Sequence, residues 1–353
     1  MADLTQTLAG EGPALGFGQL HSTYVPSHIA IVVGTSGSTG APKEVGFTAA
    51  ALHAATCAAE KFIGARLGDR WSLLLPLTHI AGVNVLLRSL ALGSEPLDLR
   101  KVGGSQVEQY GDVDFTSIVP TQLHRALHGD SELLEHLKNC RAVLVGGAAL
   151  PENLRQQATE SGIKIITTYG MTETSGGCVY NGSPLESVQV EIAGNGLIKI
   201  AGPHLASQYL NDPAQWREVL IDGWFHTNDL GRFSDTGELI VLGRSDEIII
   251  SGGEKISLTT IENYLQEKFT GTVFAAFAID DPEWGAALHI AIIDNLLLSI
   301  SEVSAHLDQE FGRAGKPKGF LHLPTLPLLG IGKVDRKKLA HLAELAQTER
   351  QAP

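Results

Sequence analysis

The sequence has little cysteine, no excess of positive charge and no long apolar run, and each shortage argues against a class of protein. Its 353 residues include three cysteines, Cys57, Cys140 and Cys178, far apart and without CxxC spacing. That argues against a disulfide framework or a zinc site, fits a reducing compartment, and makes each thiol read as a small buried residue. Lys and Arg number 26 against 39 Asp and Glu, a formal charge of -13. A phosphate backbone needs a basic surface, so nucleic acid is not an expected partner. Small anions, held by local dipoles and a few cations, remain admissible. No apolar stretch reaches membrane-spanning length, and the opening MADLTQTLAGEG lacks the basic and apolar regions of a signal peptide. The expectation is a cytoplasmic enzyme. Its oligomeric state is not fixed by the sequence, and a homo-oligomer is compatible with it.

What is present is the balance of a compact folded protein: 43% hydrophobic and 18% charged residues, on a chain long enough for two unequal domains. No internal repeat or low-complexity tract stands out. His28 to Val33 is a short β-branched run that feeds a Gly, Ser and Thr loop, so it reads as a buried strand. Ala49 to Leu67 reads as an Ala-rich helix. Strand-like runs follow at Trp71–Leu75, Ser117–Val119, Arg141–Val145 and Lys164–Thr168, with helical stretches between several of them. Such alternation predicts a large α/β domain with mostly parallel sheets. After about Ile192 short strands and turns predict a small β-rich region closing that domain. The boundary is placed in GRSDE, giving domains at 1–245 and 246–353 with Asp246 at the hinge. The second is a smaller α+β domain of about 100 residues. It has a helix over Leu258–Phe269 with Thr259 and Glu262 at capping-box spacing, strands over Val273–Ile279 and Leu288–Ile293, and a helix opened by Ser299 and Glu302.

The loop Thr35-Ser36-Gly37-Ser38-Thr39-Gly40-Ala41-Pro42-Lys43 has two glycines that let the backbone curl its N–H groups inward. Four hydroxyls and Lys43 add donors for phosphate oxygens. It is not a Walker loop, because Ala41-Pro42 separates the second glycine from the lysine. A polar surface turn is the alternative. The run SGSTGAPK resembles the signature loop of the adenylate-forming superfamily of acyl-CoA synthetases, adenylation domains and luciferases.

Further segments resemble that family in order. Tyr169-Gly170-Met171-Thr172-Glu173-Thr174 is similar to its second motif, which implies a Tyr169 ring on adenine, Thr172 at the α-phosphate and Glu173 as ligand of Mg²⁺. An aromatic face suits a base, and a hard carboxylate suits a hard cation. Gly146-Gly147-Ala148 matches the backbone that family members lay against adenine. The block Gly223 to Gly231 implies that Asp229 accepts both ribose hydroxyls. Asn228 departs from the usual glycine there and is expected to be tolerated through its ease of adopting left-handed backbone. Gly243 to Ile256 resembles the hinge block: Arg244 would reach the ribose, Asp246 would be the pivot, and Gly252 and Gly253 would line a passage for the coenzyme A thiol. Gly330 to Arg336 resembles the C-terminal motif whose lysine, here Lys333, acts on carboxylate and α-phosphate during adenylation. In isolation each residue has a plainer reading, an Arg244–Asp246 surface pair or a solvated lysine for instance. The resemblance runs from about Ala30 to Leu339, although family members usually have a much longer segment ahead of the first loop. Activity is expected without that segment, since the motifs all lie after it.

For the acid, Pro76-Leu77-Thr78-His79 resembles a family segment whose ring stands near the substrate carboxylate, the alternative for His79 being a core histidine. Arg88 lies in an otherwise apolar helix-like stretch, where a charge must snorkel, pair or bind an anion. Ser175, Gly176 and Gly177 leave room for a planar ring. An added cation beside an aryl-sized pocket, with the short length, makes the chain similar to o-succinylbenzoate–CoA ligases. The resemblance then implies ATP and coenzyme A as co-substrates, Mg²⁺ as cofactor and an aromatic carboxylic acid as partner. The alternatives are a ligase for another aryl acid and a non-catalytic AMP- or ATP-binding regulator. An amino-acid-activating domain is disfavoured, because no aspartate stands where the substrate ammonium would need one.

Overall fold

The computed structural model describes residues 1–35, 42–100, 112–269, 271–293, 298–329 and 333–351. The chain divides into two units, one of Met1–Leu150, Leu154–Thr227 and Phe233–Ile240, the other of Pro151–Asn153, Asn228–Arg232 and Val241–Pro353.

The first unit is built on a seven-stranded sheet. Leu97–Asp98, Trp71–Leu73, Phe115–Ile118, Ala142–Val145 and Ile165–Met171 lie side by side and parallel. Gly176–Tyr180 and Ser183–Pro184 add antiparallel strands at one edge. Phe115–Ile118 and Ala142–Val145 are buried throughout, as expected of parallel strands covered on both faces. Ile118 pairs with Val145 and Val145 with Thr167, so the first two strands end level with each other while Ile165–Met171 runs on past them. A second sheet orders Leu15–Phe17, Ile31–Thr35, Lys43–Phe47 and Gln208–Tyr209. A third contains Gln189–Ile192, Leu197–Ala201, Trp224–Phe233 and Leu220–Ile221.

The first long helix, Ala49–Ile63, starts where the Thr48 side chain accepts from the Ala51 N–H. It stops four residues before the expected Leu67, because Gly64 turns left-handed at φ 66°. The strand expected from His28 begins at Ile31 and runs to Thr35. Cys140 and Cys178 are buried, whereas Cys57, on the helix Ala49–Ile63, is exposed, which corrects its reading as a core residue.

In the second unit Glu254–Ser257, Ile248–Ser251, Gly285–Ile293 and Val273–Asp281 form an antiparallel path, with Gly319–Leu323 added parallel to Gly285–Ile293. Helices Leu258–Lys268, Ile300–Gly315 and Arg336–Gln351 accompany it. Ser299 caps the second of these by accepting from Glu302 N–H, as its position predicts. The capping box at Thr259 and Glu262 does not form. Ser257 is the cap instead, Thr259 donates to Glu247 at 2.9 Å, and Glu262 receives Arg336 in a two-pronged contact at 2.5 and 3.1 Å. A partly buried carboxylate gains more from a guanidinium than from one exposed N–H, and that preference overrides the local motif.

Arg88 lies in the helix Ile80–Ala91 and is 5% exposed. Its guanidinium sits over the Trp71 ring at 4.8 Å and donates to the Tyr180 hydroxyl at 3.0 Å. Burial raises the nearby Glu60 carboxyl to about 7, against the partial opposition of the Arg88 charge. The folded state therefore holds the Glu60 proton between pH 4.5 and 7 where the unfolded chain has lost it. The stability contributed by Glu60 is full below pH 4.5 and declines as pH rises through 7. Chemical denaturation at pH 5, 6, 7 and 8 should show a shallower decline for Glu60→Gln than for the natural chain, and equal slopes would contradict this assignment.

Candidate active site

In open parallel sheets, ligands bind outside the carboxyl ends of the strands. Three expected segments stand there. Pro76 to His79 follows Trp71–Leu73, Gly146 to Ala148 follows Ala142–Val145, and Tyr169-Gly170-Met171 is itself the end of Ile165–Met171. Tyr169 is half-buried. At Gly170 a side chain is impossible, since a Cβ would fall 2.1 Å from the Gly176 carbonyl oxygen. His79 is the residue from which the helix Ile80–Ala91 starts.

Thr172 and Glu173 lie in a tight turn, Thr172–Thr174. The Thr174 hydroxyl accepts from Met171 N–H at 2.9 Å and donates to the Gly176 carbonyl at 2.7 Å, which closes the turn. Ser175 follows with φ 54°, its hydroxyl donating to the His204 carbonyl at 2.7 Å and its own carbonyl accepting from Asn84 at 2.8 Å. The acidic side chain of Glu173 is thus carried on a braced segment.

Of the first loop, Ser36, Gly37, Ser38, Thr39 and Gly40 lie outside the described residues. Its two stems are described. Thr35 pairs with Lys43 across the strands Ile31–Thr35 and Lys43–Phe47. Tyr209 pairs with Val45, and side chains two apart share a face, so Lys43 and Tyr209 are diagonal neighbours. Lys43 Nζ stands 4.6 Å from the Tyr209 ring and donates to its hydroxyl at 3.3 Å. That hydroxyl in turn donates to Glu173 Oε1 at 2.6 Å. Tyr209 therefore joins the two motifs. Burial and the Glu173 charge push its pKa above the ordinary phenol value, so it keeps its proton and remains a donor. Its ring is fixed edge-on to Trp216 at 5.0 Å. Sequence reasoning missed Tyr209; the clue available was a tyrosine in a strand-like run of this acidic chain, which is too common to single out. Beside Lys43, Glu44 accepts from the N–H groups of His21 and Ser22. Burial acts to raise its pKa, but those donors prevail and hold it below the usual value.

A cavity of about 170 Å³ lies between the helix Ala49–Ile63 and the strand Gly176–Tyr180. Gly177 and Cys178 line it together with the short side chains of Ala54, Ala55 and Ala58 and with Glu186, Ser187 and His204. Ser175 and Gly176 do not line it: Ser175 is buried in hydrogen bonds, and Gly176 is packed against Asn84. Nor does Arg88, whose long side chain folds back onto Trp71 and Tyr180.

In the second unit Arg244 grips Asp246 with two hydrogen bonds, 2.7 and 2.6 Å, and reaches Asp229 at 3.4 Å. Asn228 is extended within Trp224–Phe233 rather than left-handed, so the absent glycine has no conformational cost. Gly252 has φ 59°, and a Cβ there would meet the Trp284 ring at 2.7 Å. The same ring carries Lys318 Nζ at 3.6 Å and Arg313 at 5.1 Å. Lys333 opens the strand Lys333–Val334, which pairs with Leu328–Leu329. Arg336, three residues on, anchors that segment to Glu262 and to the Ala276 carbonyl.

Among the described residues no group of three or more His, Cys, Asp or Glu is placed to hold a metal. Glu173 alone nevertheless fits Mg²⁺, which characteristically takes one or two carboxylates and completes its shell with water and phosphate oxygens. No described helix is long and apolar enough to cross a membrane.

These features together define an adenylate-forming enzyme. A family model described as AMP-binding enzyme matches residues 5–210, and the chain belongs to that family. It is similar to a probable 2-succinylbenzoate–CoA ligase of Mycobacterium tuberculosis, 37% identical over 328 residues that cover 89% of this chain and 85% of that one. The 2-succinylbenzoate–CoA ligase of Listeria monocytogenes is 29% identical over 340 residues, 91% of this chain and 72% of its own. Among solved structures, o-succinylbenzoate CoA synthetase from Bacillus subtilis in complex with its acyl-adenylate intermediate aligns with a TM-score of 0.77 at 27% identity, covering 88% of this chain and 69% of that one. The same enzyme in complex with ATP and magnesium ion gives 0.76 at 27% identity, with coverage of 88% and 70%.

Removing the Tyr209 hydroxyl takes one hydrogen bond from a charged group, worth about 1.5 kcal/mol. Tyr209→Phe should raise the Mg²⁺ concentration needed for half-maximal activity about tenfold while the melting temperature barely moves. An unchanged Mg²⁺ requirement would remove Tyr209 from the site.

Proposed function

We propose that the chain joins o-succinylbenzoate to coenzyme A at the expense of ATP, releasing AMP and pyrophosphate, as a step of menaquinone biosynthesis. The observation that carries the reading is the meeting of His79, Gly146–Ala148 and Tyr169–Glu173 at one edge of the parallel sheet, with Lys43 joined to Glu173 through Tyr209. The choice of acid is supported by the relatives, which carry that name across most of this chain.

In the first half-reaction a carboxylate oxygen of the acid attacks the α-phosphorus of ATP. The new O–P bond forms as the bond to pyrophosphate breaks. Lys43 and the loop before it hold the outer phosphates, Thr172 the α-phosphate, and the Tyr169 ring and Gly146–Ala148 backbone the adenine. Asp229 accepts the ribose hydroxyls beside Arg244. Bound at Glu173, Mg²⁺ would supply charge neutralisation for the phosphate oxygens. Lys333 offsets the charge that develops during the transfer, and His79 walls the carboxylate. In the second half-reaction the coenzyme A sulfur attacks the acyl carbon and AMP departs, so no protein nucleophile is needed. Between the two, the smaller unit turns about Asp246, withdrawing Lys333 and presenting Gly252 and Gly253. Trp284 with Lys318 and Arg313 offers a ring and two cations suited to the nucleotide end of coenzyme A.

Pyrophosphate release by the purified protein with Mg·ATP, coenzyme A and a panel of acids tests the reading. Release that depends on o-succinylbenzoate is expected. Release with benzoate- or coumarate-like acids alone would keep the ligase and change the acid, and ATP binding with no release would indicate a regulator. Lys333→Ala should abolish adenylation, by at least a hundredfold, yet leave thioester formation from supplied acyl-adenylate largely intact. Equal loss of both halves would contradict the proposed turn about Asp246.

A further inference from the structure

The helix Ile80–Ala91 is apolar along most of its length, and its sequence IAGVNVLLRSLA sets Asn84 and Arg88 one turn apart on one face. Both side chains are buried. A polar group taken out of water has to bond inside the protein, and these two do so at opposite ends of one strand. Asn84 Nδ2 donates at 2.8 Å to the Ser175 carbonyl, just ahead of Gly176–Tyr180. Arg88 donates at 3.0 Å to the hydroxyl of Tyr180, where that strand ends. Two such bonds fix how far the helix can slide along the strand and how it is turned about its own axis.

The Asn84 contact is a close approach. Ser175 and Gly176 follow the Thr172–Thr174 turn with φ 54° and 94°, and a Cβ on Gly176 would stand 2.4 Å from Asn84 Nδ2. The bare glycine therefore makes room for the amide. At the start of the same helix, the preceding residues fold back on its first turn. The His79 carbonyl accepts from the Gly82 and Val83 N–H groups at 3.0 and 3.2 Å, and the His79 N–H donates to the Pro76 carbonyl at 3.3 Å. Gly82 lies so near that carbonyl that a Cβ would come within 2.3 Å of its oxygen. His79 is thus carried by the helix, and Asn84, little more than one turn on, ties the helix to the segment that bears Thr172 and Glu173.

We infer that Asn84 is a positioning residue for adenylation: by holding the Ser175 carbonyl it sets where His79 stands relative to Thr172 and Glu173. The inference rests on the ligase reading above, in which His79 walls the carboxylate while Thr172 and Glu173 hold the α-phosphate and its metal. Asn84 acts through the two elements it joins, and a misplacement of about 1 Å between reacting groups can cost on the order of a hundredfold in rate.

The test is a double-mutant cycle on acid-dependent pyrophosphate release, run well below the melting temperature of each variant. Asn84→Leu keeps the branching of the side chain and loses the donor. It should lower kcat by about tenfold or more and leave KM for ATP within about twofold of the natural value, the split expected when geometry is lost and binding is kept. His79→Ala should also slow release, and the double variant should be about as slow as His79→Ala alone, because a lost register costs nothing once the ring it positions is gone. Where Asn84→Leu does not fold, Asn84→Ser, too short to reach Ser175, is read in its place. An unchanged kcat, a loss carried by KM alone, losses that multiply in the double variant, or a His79→Ala enzyme as fast as the natural one would each overturn the role of Asn84 while leaving the ligase reading standing. Absence of pyrophosphate release by the natural chain with every acid of the panel would overturn that reading, and this inference with it.

Discussion

A tyrosine hydroxyl held between an ammonium group and a carboxylate ties together three segments that lie far apart in the chain. Lys43 and Tyr209 come from neighbouring strands of the second sheet, 166 positions apart in the chain, and Glu173 from the turn beyond the parallel strands. Without the hydroxyl, the cation and the anion would have to meet directly or remain partly desolvated. The tyrosine separates them at hydrogen-bond distance from each, and its ring, packed on Trp216 in the main core, gives both a fixed reference. A site that must receive a polyphosphate and a hard cation needs its charges pre-placed but not neutralised by one another, and this arrangement provides that.

The same economy governs the other charges. Arg88 and Glu60 are buried together beside Trp71 and Tyr180, and Arg336 is held by Glu262 and Glu247. Each cation has an anion near it, as low-dielectric surroundings require. Neither ring nitrogen of His204 has a hydrogen-bond partner among the described residues, and single buried atoms of Glu60, Arg88 and Arg336 are likewise unmatched.

Much of this was legible in the residues. Parallel strands announced themselves as short β-branched runs alternating with helices, and their order fixed which loops share an edge. The motif segments stood out through their resemblance, in order along the chain, to those of the adenylate-forming family. What escaped detection depended on tertiary partners. Thr259 and Glu262 have capping-box spacing, but Glu262 is drawn to Arg336, which lies 74 positions away. Asn228 was expected in left-handed backbone because glycine usually stands there, whereas its strand pairing makes it extended. Arg88 was placed at the acid because a lone charge in an apolar helix invites a ligand; the fold adds that it donates to Tyr180 and lies over Trp71, while its Nε has no partner among the described residues. Tyr209 and His204 carry no local signal at all; only the fold shows what they touch and what they lack.

The central claim is that the acid is activated as a mixed anhydride with AMP, and the path of one oxygen atom tests it directly. With o-succinylbenzoate labelled by ¹⁸O in its succinyl carboxylate, turnover with ATP and coenzyme A should place one labelled oxygen in the phosphate of the AMP released. AMP that forms without label, while the thioester accumulates, would contradict an acyl-adenylate and the roles assigned to Lys43, Glu173 and Lys333.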